Sequence, residues 1–331
     1  MKSLLNAVFY LILLMLFPTA YSLADQHPPT RAISAQQFER WMTEVSNWGR
    51  WGQDDELGTL NLVTPEKRTQ AAALVKAGLT VSLSRTINTV KSVDNPRPLS
   101  HTMDETGANA NDSATDTYSI HYHGLGHSHL DGLCHMFHKG KMYNGYSQGL
   151  VTEMGCAKDS ILSIKNGIFT RGVLIDIPWL RGLSELPAGT AIMAEELDLW
   201  EKTTGIHIQS GDVLLVRTGR WVIRKRLGAL DLTSGMAGLH GSTIHWLKAR
   251  DIAVIGSDGI TDAIPSGIDT ELAPLHKLII TSLGTPLLDN LDLDTLTSTA
   301  QTLGRWQFLF TANPLAVQGG TGSPINAVAI F

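Results

Sequence analysis

Six of the chain's twelve histidines fall between His121 and His138, and the carboxylate of Asp131 lies among them. Imidazole is the side chain most used to bind transition metals. Imidazole nitrogen together with carboxylate oxygen is a donor set that zinc, manganese and iron all accept. His127, His129 and Asp131 are spaced by two. In an extended segment that spacing puts all three on one face, close enough to share one ion or a pair of ions. His121 and His123 continue the parity. His135 lies four residues beyond Asp131, after Gly132, where a turn would bring it back over the metal. A divalent ion so held activates a bound water, and an imidazole is suited to shuttle the proton.

Two known patterns resemble this segment. His127-Ser-His-Leu-Asp131 is similar to the first five positions of the His-x-His-x-Asp-His motif of metallo-β-lactamase-type hydrolases. Its sixth position here is Gly132, and Gly124 and Gly126 precede the motif where that fold requires an apolar strand. That reading would take His127, His129 and a downstream histidine such as His207 as ligands. The fuller resemblance is to the metal-dependent cyclase family, which includes bacterial kynurenine formamidases and isatin hydrolases. Its signature is His-x-Gly-Thr-His-x-Asp-x-Pro-x-His, and Ser128-His-Leu-Asp131-Gly-Leu-Cys-His135 matches the Thr-His-x-Asp-x-x-x-His part. Gly172-Val-Leu-Ile-Asp-Ile-Pro178, Gly211-Asp-Val-Leu-Leu-Val-Arg-Thr-Gly219, Gly256-Ser-Asp258 and the tail Pro314 to Pro324 resemble later blocks of that family, in the right order. Trp51-Gly-Gln-Asp-Asp55 and Lys141-Met-Tyr-Asn-Gly145 are similar to a longer branch of it.

The resemblance implies an α/β fold: a single domain with a central mixed or barrel-like sheet flanked by helices, of the swivelling β/β/α type. It implies a Zn or Mn ion held by His129, Asp131 and a later pair, His276 and Asp289, the latter standing where the family has glutamate before Asn-Leu. The family's first histidine would fall on Leu125, which cannot ligate. His127 is expected in its place because its parity matches His129, with His123 the second choice. His135 becomes the proton shuttle. The implied activity is hydrolysis of a small cyclic or acyl amide (a formamide or lactam) or an ester, in a homodimer or homotetramer. A secreted metal-binding protein without catalysis is the alternative of a different class. Trp48, Trp51 and Tyr143 would form an aromatic wall for a flat substrate ring, or be simply packed. Gly319 to Ser323 would offer backbone N–H groups to an oxyanion or form a tight terminal turn. No convincing Gly-x-Gly-x-x-Gly segment exists, so no dinucleotide cofactor is implied.

The elements that must position these residues alternate. Ser34 is read as the cap of a helix running to about Ser46, and Thr64-Pro65-Glu66 as the start of a helix ending at Gly78. Strands are predicted at Val81 to Ile87, Gly172 to Ile177, Val213 to Thr218, Ile252 to Gly256, Phe308 to Thr311 and Asn326 to Phe331. Helices are predicted at Ala194 to Thr204, Ser242 to Arg250, Pro274 to Leu283 and Leu293 to Leu303. Residues 91 to 116, rich in Asn, Asp, Pro and Gly, read as one long exposed loop bordering a site.

Lys2, the apolar run Leu4 to Phe17 and the small-residue pattern before Ala24 read as a secretory signal cleaved after Ser22 or Ala24. Residues 1–24 are therefore assigned to the signal and 25–331 to one hydrolase domain, secreted or periplasmic. Without Lys2 the chain carries 25 basic and 31 acidic side chains, and the resulting acidic balance with no Lys/Arg run argues against a nucleic-acid partner. No other stretch is long and apolar enough to span a bilayer. Cys134 and Cys156 are either a disulfide in an oxidising compartment or reduced thiols.

Overall fold

Runs such as Val213-Leu-Leu-Val and Val254-Ile have no polar face. Such runs suit strands covered on both sides, as parallel strands are in α/β folds. In a computed structural model describing residues 32–109, 112–268 and 270–331, these runs are the middle of a nine-stranded mixed sheet. Its strands, in chain order, are β1 (Thr80–Ser82), β2 (His129–Asp131), β3 (Ile168–Asp176), β4 (Val213–Arg217), β5 (Val254–Ser257), β6 (Leu287–Asp289), β7 (Gln307–Ala312), β8 (Gly322–Pro324) and β9 (Val328–Ile330). They lie side by side as β1-β9-β7-β3-β4-β5-β6-β2-β8. The central four, β3 to β6, are mutually parallel, and every other pairing is antiparallel. Val173, Leu174, Ile175, Val213, Leu214, Leu215, Val254 and Ile255 are all fully buried.

The helices are α1 (Ala35–Glu44), α2 (Pro65–Ala72), α3 (Ile177–Arg181), α4 (Ala194–Thr204), α5 (Arg220–Leu227), α6 (Ile244–Ala249), α7 (Pro274–His276) and α8 (Asp294–Leu303). The expected caps are present. Ser34 Oγ accepts the Gln37 N–H at 3.1 Å, and Thr64 Oγ1 that of Lys67 at 3.2 Å. The α/β class expected from the sequence is the observed one.

Several elements differ from the sequence reading. α2 stops at Ala72 rather than at Gly78, and the N–H groups of Ala77 and Gly78 donate instead to the carbonyl of Phe331. β1 is three residues long, since only Thr80–Ser82 finds a partner in β9. The supposed loop 91–116 contains the first strand of a hairpin, Ser100–Glu105 paired with Thr115–Ser119, every residue of it exposed. The helix expected over Pro274 to Leu283 is α7 followed by a π-helical turn at Lys277–Leu283. Of the terminal glycine segment, Gly319 is in a turn, and Gly322 and Ser323 belong to the edge strand β8. Cys134 and Cys156 are joined as a disulfide. The predicted signal and most of the polar arm after it lie outside the described residues. No helix among the described residues is long and apolar enough to cross a membrane.

Candidate metal centre

The sheet supplies three donors by register. β2 runs antiparallel to β6, with Asp289 opposite His129 and Leu287 opposite Asp131. Opposed residues share a face and successive residues alternate. His129, Asp131 and Asp289 therefore project to one side, while Leu130 points into the core and is fully buried. The other flank of β2 is closed by β8, with Gly322 opposite Asp131 and Pro324 opposite His129.

His129 is oriented by its own chain. Its Nδ1–H donates to the His127 carbonyl at 2.9 Å, leaving the Nε2 lone pair free and 3.4 Å from Asp131 Oδ1. A metal-binding histidine is commonly fixed in this way through its second nitrogen. The His127 carbonyl also receives Asn290 Nδ2, as does that of Gly124. Asn290 follows Asp289 directly and is held in the left-handed region at φ 57°.

His276 enters from α7. The carboxylate of Asp262 accepts the backbone N–H of Leu275 and His276 and the Nδ1–H of the same imidazole, the last at 2.6 Å. The ring is thereby fixed with Nε2 3.1 Å from Asp289 Oδ2. The π-helical turn that follows is a wide turn of a kind that recurs at functional sites. Thr261, beside Asp262, is β-branched and held at φ 64°, a costly conformation for such a residue.

His123 comes from the loop ahead of β2. Its Nε2 contacts Thr321 Oγ1 at 2.9 Å, and its ring stacks on that of His135 with centroids 4.0 Å apart. Its Nδ1 is 2.9 Å from Asp131 Oδ1. The two atoms are nevertheless not aligned as a hydrogen bond, and both are buried with no hydrogen-bond partner among the described residues. Buried polar atoms are ordinarily paired. Two such atoms converging without bonding each other are what ligands of a shared cation look like. His123, His129 and Asp131 offer donors all within 4.8 Å of one another, and so do Asp131, His276 and Asp289. Asp131 belongs to both groups, and the nitrogen and oxygen donors fit one divalent ion or a bridged pair.

The charges are consistent with this. Burial alone would raise Asp131, but the His135, His129 and His123 imidazoles outweigh it and hold the carboxylate well below its usual range. Burial pushes the His135 imidazole down to about 4 against the pull of Asp131, so it is neutral near pH 7. Burial would also lower His276, yet Asp289 and Asp262 raise it well above the ordinary histidine value. It therefore carries a proton on Nε2 that a cation would displace.

The sequence-predicted residues divide clearly. His129, Asp131, His276 and Asp289 converge, and His135 borders them with Nε2 3.8 Å from Asp131 Oδ2. His127 does not join them. It precedes β2 rather than extending it and belongs to neither donor group. His123, the second choice, lies in one of the two donor groups. His207 is exposed and in neither group, which removes the metallo-β-lactamase-type ligand set. Trp48 docks through Nε1 on the Thr281 carbonyl of the π-helical turn, 2.7 Å away, and Trp51 carries the Arg50 guanidinium on its face. Tyr143 is fully buried and offers no face to a ligand. Its hydroxyl donates to Asp55 Oδ2 at 2.9 Å, and its ring lies against Gly284, where a Cβ would collide with it. The Gly320 N–H is spent on the Val317 carbonyl, and Gly322 and Ser323 are paired with β2. Asp262 was not anticipated. Its signal was its place thirteen residues before the first residue it caps, a spacing with no local rule.

An α/β sheet carrying a buried His/Asp donor cluster at the edge of its parallel strands defines the class. The family model described as "Putative cyclase" matches residues 78–262, more than half of the chain, and the chain belongs to this family. Among solved structures it is similar to a novel cyclase at 29% identity and TM-score 0.78, over 88% of this chain and 99% of that one. It shares its fold with isatin hydrolase A from Ralstonia solanacearum (19% identity, TM-score 0.54, 76% of this chain and 91% of that one). The same holds for isatin hydrolase A from Labrenzia aggregata bound to benzyl benzoate (21% identity, TM-score 0.56, 78% and 94%). No curated protein matches the chain.

Proposed function

We propose that this protein is a hydrolase dependent on a divalent metal, Zn or Mn, that opens a small cyclic or acyl amide or an ester. The observation that carries the reading is the pair of donor groups meeting at Asp131, with His123 Nδ1 and Asp131 Oδ1 buried and unbonded. The fold shared with the two isatin hydrolases supports a lactam, formamide or related carbonyl as the target. The proposed ligands are His123, His129, Asp131, His276 and Asp289.

A divalent ion bound there supplies Lewis-acid polarisation and a water acidified toward neutrality. The chain's own residues do the rest. The His127 carbonyl and Asp262 fix the His129 and His276 tautomers, so each presents Nε2. His135, neutral near pH 7, can accept a proton at Nε2 and return it to a leaving nitrogen or oxygen. The Cys134–Cys156 disulfide anchors the residue immediately before His135. That bonded pair also supports export to an oxidising compartment, which we propose together with a homo-oligomeric state.

Elemental analysis of the purified protein, followed by assay of formamides, isatin-like lactams and lactones with the metal found, tests the reading. Stoichiometric Zn or Mn and turnover of one of these classes are expected, with both lost in His129→Ala. Metal uptake with no hydrolysis of any of them would instead establish a binding protein without catalysis.

A further inference from the structure

Beside the metal centre lies a solvent-open cleft walled by α5 and the segment 230–237. Its apolar walls include Ile223, Leu230 and Met236, and its cations are Arg220 and Arg224. The two arginines differ. Arg224 is neutralised by a two-pronged contact with the buried Asp94. Arg220 makes no ion pair among the described residues. Its guanidinium donates to the Asn290 side chain and, at 2.8 Å, to the Leu125 carbonyl, and lies 4.2 Å over the Trp221 ring. Two of its five N–H donors are thus used, leaving three without a protein acceptor. Asp94, Asp258 and Asp289 surround it at longer range. Asp258 spends its carboxylate on Thr218, Gly219 and the backbone N–H of Arg220. Asp231, the remaining acid at the cleft, is exposed and caps Thr233.

A guanidinium with free donors at an apolar cleft is a receptor for a planar anion on an apolar body, because it matches a carboxylate with two parallel hydrogen bonds. We propose that this cleft binds an organic carboxylate with an aromatic or branched aliphatic body, the carboxylate on Arg220 and the body against Met236, Ile223 and Leu230. The cleft shares its framework with the metal centre. Asn290 adjoins the proposed ligand Asp289, and Leu125 lies on the loop that leads to His129. As a substrate subsite, selecting amides or esters that also carry a carboxylate, the cleft rests on the hydrolase reading. Binding itself does not.

The test is calorimetric titration of the full-length protein, as purified, with benzoate and its uncharged counterpart benzamide. Benzoate is expected to bind about tenfold or more tightly than benzamide, the gain of a charge-assisted contact. Met236→Trp, which fills the cleft from its apolar wall, should abolish benzoate binding. Arg220→Met should remove the preference for the anion. Equal or undetectable binding of the two compounds by the parent protein overturns the proposal. So does benzoate affinity unchanged in Met236→Trp, which would place the anion elsewhere, the metal included. Failure of the hydrolase reading would show differently, as absent metal or absent turnover, and would leave these titrations standing.

Discussion

Asp159→Asn should stabilise this protein, and increasingly so as pH rises. Asp159 is buried at φ 59°, with its backbone N–H on Glu56 Oε2 at 2.8 Å and its carbonyl accepting the Cys134 N–H at 3.0 Å. Neither carboxyl oxygen has a hydrogen-bond partner among the described residues. Burial, then the nearby Glu56 and Asp55, push the acid up to about 8 from an ordinary 3.8, and Lys158, already engaged by Glu56 at 2.8 Å, does not compensate. Between those two values the native state keeps a proton that the unfolded chain has released. Stability then falls as pH rises, by up to about 1.4 kcal/mol per pH unit, and about 4 kcal/mol has been lost by pH 7. Asparagine keeps the shape and carries no titrating proton, so the variant escapes that loss. For a chain of this size about 4 kcal/mol corresponds to roughly 6 °C in Tm. Thermal unfolding of both proteins from pH 4 to 8.5, at one fixed metal concentration, should show near-equal midpoints at pH 4. The gap should widen toward pH 8 and be constant above it. A pH-independent difference, or a variant less stable throughout, would mean that the carboxylate is ionised and held in the native state, and the reasoning would be wrong.

Three further outcomes follow from the geometry. His123→Ala should cut metal content sharply, whereas His127→Ala should keep it, as read by elemental analysis after dialysis; the reverse order would restore His127 as ligand. Asp262→Ala frees the His276 ring, and loss of such a supporting partner typically costs 10- to 100-fold in metal affinity, measurable by competition with a chelator; an unchanged affinity would show that Asp262 only caps α7. Breaking the Cys134–Cys156 bond with Cys156→Ser reopens a loop with a sequence separation of 22 and should cost about 3 kcal/mol, seen as a lower denaturation midpoint; equal midpoints for variant and parent would place the stabilisation elsewhere.

Much of this fold was legible because its signals are local. Ser34 and Thr64 cap helices through bonds three residues long, Gly205 ends α4 in the left-handed conformation that glycine favours, and the all-apolar β4 could only be buried. What failed was decided at a distance. The helix expected to reach Gly78 falls short of it, and Phe331, at the far end of the chain, takes the N–H groups of Ala77 and Gly78. Gly322 and Ser323 joined a strand because β2 had an open edge. The choice of His127 over His123 rested on extending the β period upstream of His129. That period breaks where the His127 carbonyl turns to receive the His129 ring and Asn290. No residue in the segment announces this, since Asn290 is more than 160 positions away.

In the proposed centre Asp289 stands where the family it resembles has glutamate, and strand register offsets the shorter side chain. A carboxylate placed by strand register needs less reach than one approaching from a loop. Asp289 sits directly opposite His129, and its reach is met by His276, drawn in through Asp262. A slip of one residue in the β2–β6 pairing would turn His129 and Asp131 into the core and Leu130 into the site, exchanging every donor for an apolar group. That register is held on both flanks of β2 and by the Ser128 hydroxyl, which donates to the Asn290 carbonyl at 2.7 Å. The donors are therefore positioned mainly by backbone pairing. Of the cluster's remaining histidines, His135 borders that frame, while His138 contacts Glu39 instead.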